Sequence, residues 1–100
     1  MDPGGNMEIV SFKNFNPETR VKNYCASRIG DILEQVPTDA ASSLVIEKRG
    51  RYYVGDLKIR SFGGSFRAKN AHRNPERLTE ELCEDIQHQI ERWRKTRFNH

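Results

Sequence analysis

The apolar residues of this chain repeat with two different periods, and the switch between them decides what it can fold into. Val21, Cys25, Ile29, Ile32 and Val36 return at three- and four-residue steps, with Tyr24 and Leu33 beside them. A helix turns once in about 3.6 residues, so these side chains form one stripe. The spacing predicts a helix from about Pro17 to Gln35, weakened by Gly30 and stopped by Pro37. The same step returns at Leu78, Leu82, Ile86, Ile90 and Trp93, which predicts a longer helix from about Pro75 to Arg97. The tripeptide Asn-Pro-Glu precedes both stripes, at 16–18 and at 74–76. Asn suits the N-cap, Pro the first helical position and Glu the positive end of the helix dipole.

Between the helices the period falls to two, the repeat of a strand with one buried face. Strands are expected at about Ser43 to Lys48, Tyr52 to Ser61 and Ser65 to Asn70, with turns at Arg49-Gly50 and Gly63-Gly64. These three form an antiparallel meander. An earlier alternating run, Glu8 to Lys13, carries Ile9, Val10 and Phe12 and reads as a first strand. The order is β-α-β-β-β-α. Two helices with one apolar stripe each are buried most simply on one face of a four-stranded sheet. The expected fold is therefore an α+β two-layer sandwich with its other sheet face open.

One hundred residues make one domain, expected over 7–98 behind a loose Gly-rich leader at 1–6. No run of about twenty apolar residues exists to span a membrane. No secretory signal pattern opens the chain, and the expected compartment is the cytoplasm. Cys25 and Cys83 each fall on the apolar side of a helix and are expected as buried free thiols.

The charge is unevenly placed. Lys48, Arg49, Arg51, Lys58, Arg60, Arg67, Lys69 and Arg73 lie within 42–75 against only Glu47 and Asp56, a net +6. Residues 76–91 carry −5 and residues 92–100 carry +4. The acidic-first, basic-last order of the final helix complements its dipole, so part of the pattern is structural. The meander has no such explanation, and its charge points to a polyanion, most readily RNA.

Strand alternation sorts the faces. Tyr53, Gly55, Leu57 and Ile59 share one side of the third strand, and Phe66 and Ala68 one side of the fourth. These sides must meet the helices, because a one-residue slip would bury four cations. Lys58, Arg60, Arg67 and Lys69 then gather on the open face, with Arg73 next in sequence. Leu44 and Ile46 face inward and Val45 outward. Arg92, Arg94 and Lys95 form a second candidate set, while Trp93 completes the helix stripe and reads as core. Arg20, Lys22 and Arg28 are a weaker set on the first helix.

Enzyme chemistry finds little support. Phe62-Gly63-Gly64 is a turn, and no dinucleotide or Walker pattern is present. Cys83 and His88 are five apart on a helix and do not share a face, so no metal site is expected. No catalytic residue, cofactor or small-molecule substrate is evident.

The stretch Leu44-Val45-Ile46-Glu47-Lys48, the hairpin, Gly63-Gly64, Phe66-Arg67-Ala68 and the long helix through Gln89 to Lys95 resemble the ribosome hibernation-promoting factor and ribosome-associated inhibitor family. The resemblance covers most of 8–97 and implies a fold like a double-stranded RNA-binding domain with an added first strand. It implies binding to the small ribosomal subunit and its rRNA, and inhibition of translation under stress. Lys58, Arg60, Arg67, Lys69, Arg73, Arg92, Arg94 and Lys95 are the residues here that could serve. The chain departs from the family where its last helix opens, at Arg73-Asn74-Pro75-Glu76-Arg77-Leu78. It is similar to a divergent short form. The alternative reading is a protein-interaction or regulatory adaptor that does not bind ribosomes.

Overall fold

The structure, a computed structural model, describes residues 7–36, 40–61 and 63–98. The expected leader at 1–6 and the expected helix stop at Pro37 lie outside the described residues. The elements run β1 (Met7–Lys13), α1 (Thr19–Leu33), β2 (Ala41–Arg49), β3 (Tyr52–Ser61), β4 (Gly64–His72) and α2 (Pro75–Phe98). They build an α+β sandwich on a mixed four-stranded sheet in the order β1-β2-β3-β4. β1 runs parallel to β2, as a helical crossover allows, and β2, β3 and β4 pair antiparallel.

Both apolar stripes are buried against one sheet face. Cys25, Ile29 and Ile32 of α1 and Leu78, Leu82, Ile86 and Ile90 of α2 meet Leu44, Ile46, Leu57, Ile59, Phe66 and Ala68 of the sheet. Burying each large side chain in this set contributes about 2 kcal/mol. Cys25 and Cys83 are buried and free. Burial raises both thiols, Cys83 to about 11, so each stays protonated at neutral pH.

The two Asn-Pro-Glu segments behave differently. Asn74 caps α2: its side-chain oxygen accepts from the backbone N–H groups of Glu76 at 2.8 Å and Arg77 at 3.1 Å. Asn16 does not cap α1. That helix starts later, with Glu18 as an extended N-cap that makes no side-chain bond. The Glu18 carbonyl accepts from Val21 and Lys22. Phe15 explains the offset. It packs edge-on between Phe12, at 5.6 Å, and Tyr53, at 4.8 Å, and so ties the chain to the sheet just before the helix.

Two turns shape the meander. Gly50 has φ +62, the left-handed first position that suits a two-residue hairpin between Arg49 and Tyr52. At the next turn Trp93 sits against Gly63, and a Cβ there would lie 2.8 Å from the indole. The indole N–H donates to the Gly63 carbonyl at 2.9 Å, and its ring meets Phe66 edge-on at 5.9 Å. Trp93 is half-buried and packs on the core, as its place in the stripe indicates.

Candidate nucleic-acid interface

The open face is built from the outward residues of four strands, set side by side by the register. Lys58 lies opposite Arg67, Asp56 opposite Lys69, and Arg60 opposite Ser65. On β2 the same rows continue through Ser43, Val45 and Ala41. The β3–β4 half of the face is therefore cationic. The β1–β2 half beside it is largely uncharged, with Val45 half-buried and Ile9 51% exposed.

These cations are not equivalent. Arg67 is bound side-on to Asp56, with Nε on Oδ1 at 3.1 Å and Nη2 on Oδ2 at 2.8 Å. Hydrogen bonding from Arg67 holds the Asp56 carboxyl below its usual range. Burial opposes this, and the charges of Arg67, Lys58 and Lys69 reinforce it. Among the described residues, Lys58, Arg60 and Lys69 form no ion pair. Like charges placed directly opposite repel, so Lys58 and Arg67 sit together at a cost that Asp56 offsets. A shallow depression lies between the rows, lined by Lys58, Ile59, Arg60, Ser65, Phe66 and Arg67.

The sequence block of eight cations splits in space. Lys48, Arg49, Arg51 and Arg73 lie at the other end of the meander, around the β2–β3 turn. Arg49 pairs with Glu47 at 3.2 Å, and Arg73 lies over the Tyr52 ring, 5.6 Å from its centroid. Arg73 is thus separated from Arg60 by the length of β3. The last turns of α2 come instead to the Arg60 end, because Trp93 seats the β3–β4 turn there. Arg92 and Lys95 are exposed at that end. Arg94 is engaged within the fold, donating to the Gln35 carbonyl beyond the end of α1 at 2.7 Å.

No protein-family model matches the chain, and no curated protein matches it. Solved structures do. The N-terminal domain of Protein Y from Thermus thermophilus superposes with a TM-score of 0.75 at 12% identity, over 87% of this chain and 99% of that one. A ribosomal subunit interface protein from Coxiella burnetii also gives 0.75, at 6% identity, over 88% and 97%. The chain has their fold. The resemblance read from the sequence to the hibernation-promoting factor family is thus carried by architecture, at identities too low to carry individual residues across.

Three contacts around the site escape sequence reasoning. The Asp56–Arg67 pair joins residues eleven apart, visible only once the register is known. Arg94 reaches a carbonyl 59 residues away. Gln89 closes the outer edge of β4: its side-chain N–H donates to the Arg67 carbonyl at 2.8 Å, and its oxygen accepts from the Arg67 N–H at 3.3 Å. Nothing in a lone glutamine on a helix signals that use. No group of three or more His, Cys, Asp or Glu capable of holding a metal occurs among the described residues. None of their helices is long and apolar enough to cross a membrane.

Proposed function

We propose that this chain binds rRNA of the small ribosomal subunit through the open face of its sheet and thereby holds translation idle under stress. The observation that carries the reading is the trio Lys58, Arg60 and Lys69, which form no ion pair among the described residues and stand on the sheet face away from both described helices. The fold is shared with a protein named for the ribosomal subunit interface. Each cation that neutralises a phosphate releases condensed counterions, so such a surface binds RNA with a steep salt dependence. Arg92 and Lys95 extend the charge at the Arg60 end. Arg67 and Arg94 are already bonded within the protein and contribute less to the contact. The soluble setting of such a partner is the cytoplasm.

Co-sedimentation with purified small subunits across a salt series tests this. The parent pellets with the subunits, and the variant with Lys58, Arg60 and Lys69 all changed to Ala is lost from the pellet at moderate salt. Its log–log salt slope for isolated small-subunit rRNA falls by about 2 to 3, one increment per phosphate. If the triple variant sediments like the parent at moderate salt, the open-face reading is wrong. Salt-insensitive capture by a protein, with no ribosome affinity, would establish the adaptor reading instead.

A further inference from the structure

Asp56 holds the centre of the cationic face. It projects outward from β3 opposite Lys69 and diagonal to Arg67, with Lys58 two residues on along the same strand. Both of its oxygens accept from Arg67, one from Nε and one from Nη2. A guanidinium presents the same fork to a phosphate. The carboxylate therefore occupies the position a polyanion oxygen would take on Arg67, and it stays ionised under the pull of the three surrounding cations.

A phosphate that takes Arg67 must first break a two-bond, charge-assisted pair. It also leaves an unpaired carboxylate among the cations, facing the rest of the sugar-phosphate chain. The exchange replaces one fork of hydrogen bonds with another and adds repulsion, so it is unfavourable. Among the described residues, Lys58, Arg60 and Lys69 carry no such partner. Arg67 is thus as exposed as a phosphate ligand should be, at 53%, and yet is withheld.

We infer that Asp56 is an internal competitor for RNA phosphate: it ties up Arg67 and sets the affinity of the sheet face below what its cations could deliver. The inference rests on the RNA-binding reading above and deepens it, by naming the group that tunes the site. Its consequence is a surface that lets go readily, because one of its four cations is already neutralised.

The test measures binding of small-subunit rRNA to the full chain at several salt concentrations. D56N is expected to bind roughly tenfold tighter, the effect of one charge-assisted bond gained. Its log–log salt slope steepens by about 0.7 to 0.9, one added phosphate. Asp56→Ser behaves alike, which separates the effect from any local misfolding. E47Q removes a carboxylate at the far end of the same face and releases Arg49 rather than Arg67; with the phosphate contacts confined to the Lys58, Arg60 and Lys69 rows, it leaves the slope unchanged. The double variant D56N/R67Q binds within about twofold of the parent with the parent slope, since the pair contributes almost nothing as a pair. Equal affinity and slope in D56N and the parent would overturn the inference while leaving the RNA reading intact. So would a D56N/R67Q variant much weaker than the parent, which would place Arg67 on phosphate already. A parent with no salt-dependent rRNA binding would sink the RNA reading, and this inference with it.

Discussion

Lys58, Arg60 and Lys69 stand on strands and form no ion pair among the described residues, whereas Arg94, at the same end of the molecule, donates from Nη2 to the Gln35 carbonyl. Its neighbour Trp93 is committed as well, to the Gly63 carbonyl and the Phe66 ring. Both regions are basic, and in the sequence the meander was the first candidate and the helix end the second, its charge partly explained by the helix dipole. The sheet holds its cations outward because alternation leaves them no other side, and the rigid pleat fixes their spacing. The helix end uses much of its chemistry to join elements: α2 to α1 through Arg94, and α2 to the β3–β4 turn through Trp93. Charge alone does not mark an interface; charge without an internal partner is the better sign.

The largest effect that could break this contrast is on binding. Reversing all three sheet cations, K58E/R60E/K69E, should weaken rRNA binding by more than about 100-fold at low salt, because three phosphate contacts become repulsions. The paired change R92A/K95A should cost much less in the same filter-binding assay. Equal losses would erase the distinction between the regions.

Next comes stability. W93A should lower unfolding free energy by about 3 kcal/mol, the low end for a large aromatic because the ring is half-buried. Chemical denaturation reads this directly. W93F keeps an aromatic ring against Phe66 and removes the bond to Gly63, so it should recover most of the stability. It should also bind rRNA like the parent. A W93F protein that is stable but binds poorly would make the indole a stacking platform after all.

R94A should cost about 1 kcal/mol, the net worth of one hydrogen bond, and change rRNA affinity by less than about twofold. A thermal melt and a binding isotherm on the same preparation decide it. The smallest effect is the pH dependence from Asp56. Its folded pKa is depressed by Arg67, so its stabilising contribution is present above the ordinary Asp value of about 3.9 and is lost as pH falls through the folded value. The stability gap between the parent and D56N should therefore be open at pH 7 and close in acid. A gap that widens on acidification would mean that Asp56 is not held by its cations.

The element order and the facing of β2, β3 and β4 were legible because two independent periods, 3.6 and 2, agree on where the core must lie. Leu57, Ile59, Phe66 and Ala68 could not be buried without exposing Lys58, Arg60, Arg67 and Lys69. The failures share a cause: each depends on contacts between distant parts of the chain. Asn16 and Asn74 sit in the same tripeptide, yet only Asn74 caps, because Phe15 anchors the chain ahead of the first helix. The net +6 block looked continuous, but the length of β3 carries Arg73 to one end and Arg60 to the other. The Asp56–Arg67 pair needs the diagonal of a known register, which no count of charges supplies.

Gln89 has a further consequence for the molecule as a whole. A strand on the border of a sheet offers bare amide and carbonyl groups to any strand that drifts past, its own copies included. At Arg67 that offer is already taken by a side-chain amide from α2, a plug shaped like a peptide group. Growth of an endless ribbon of copies requires two receptive borders per molecule, one to give and one to take. With the β4 border interrupted at Arg67, a passing strand cannot pair without a break along that side.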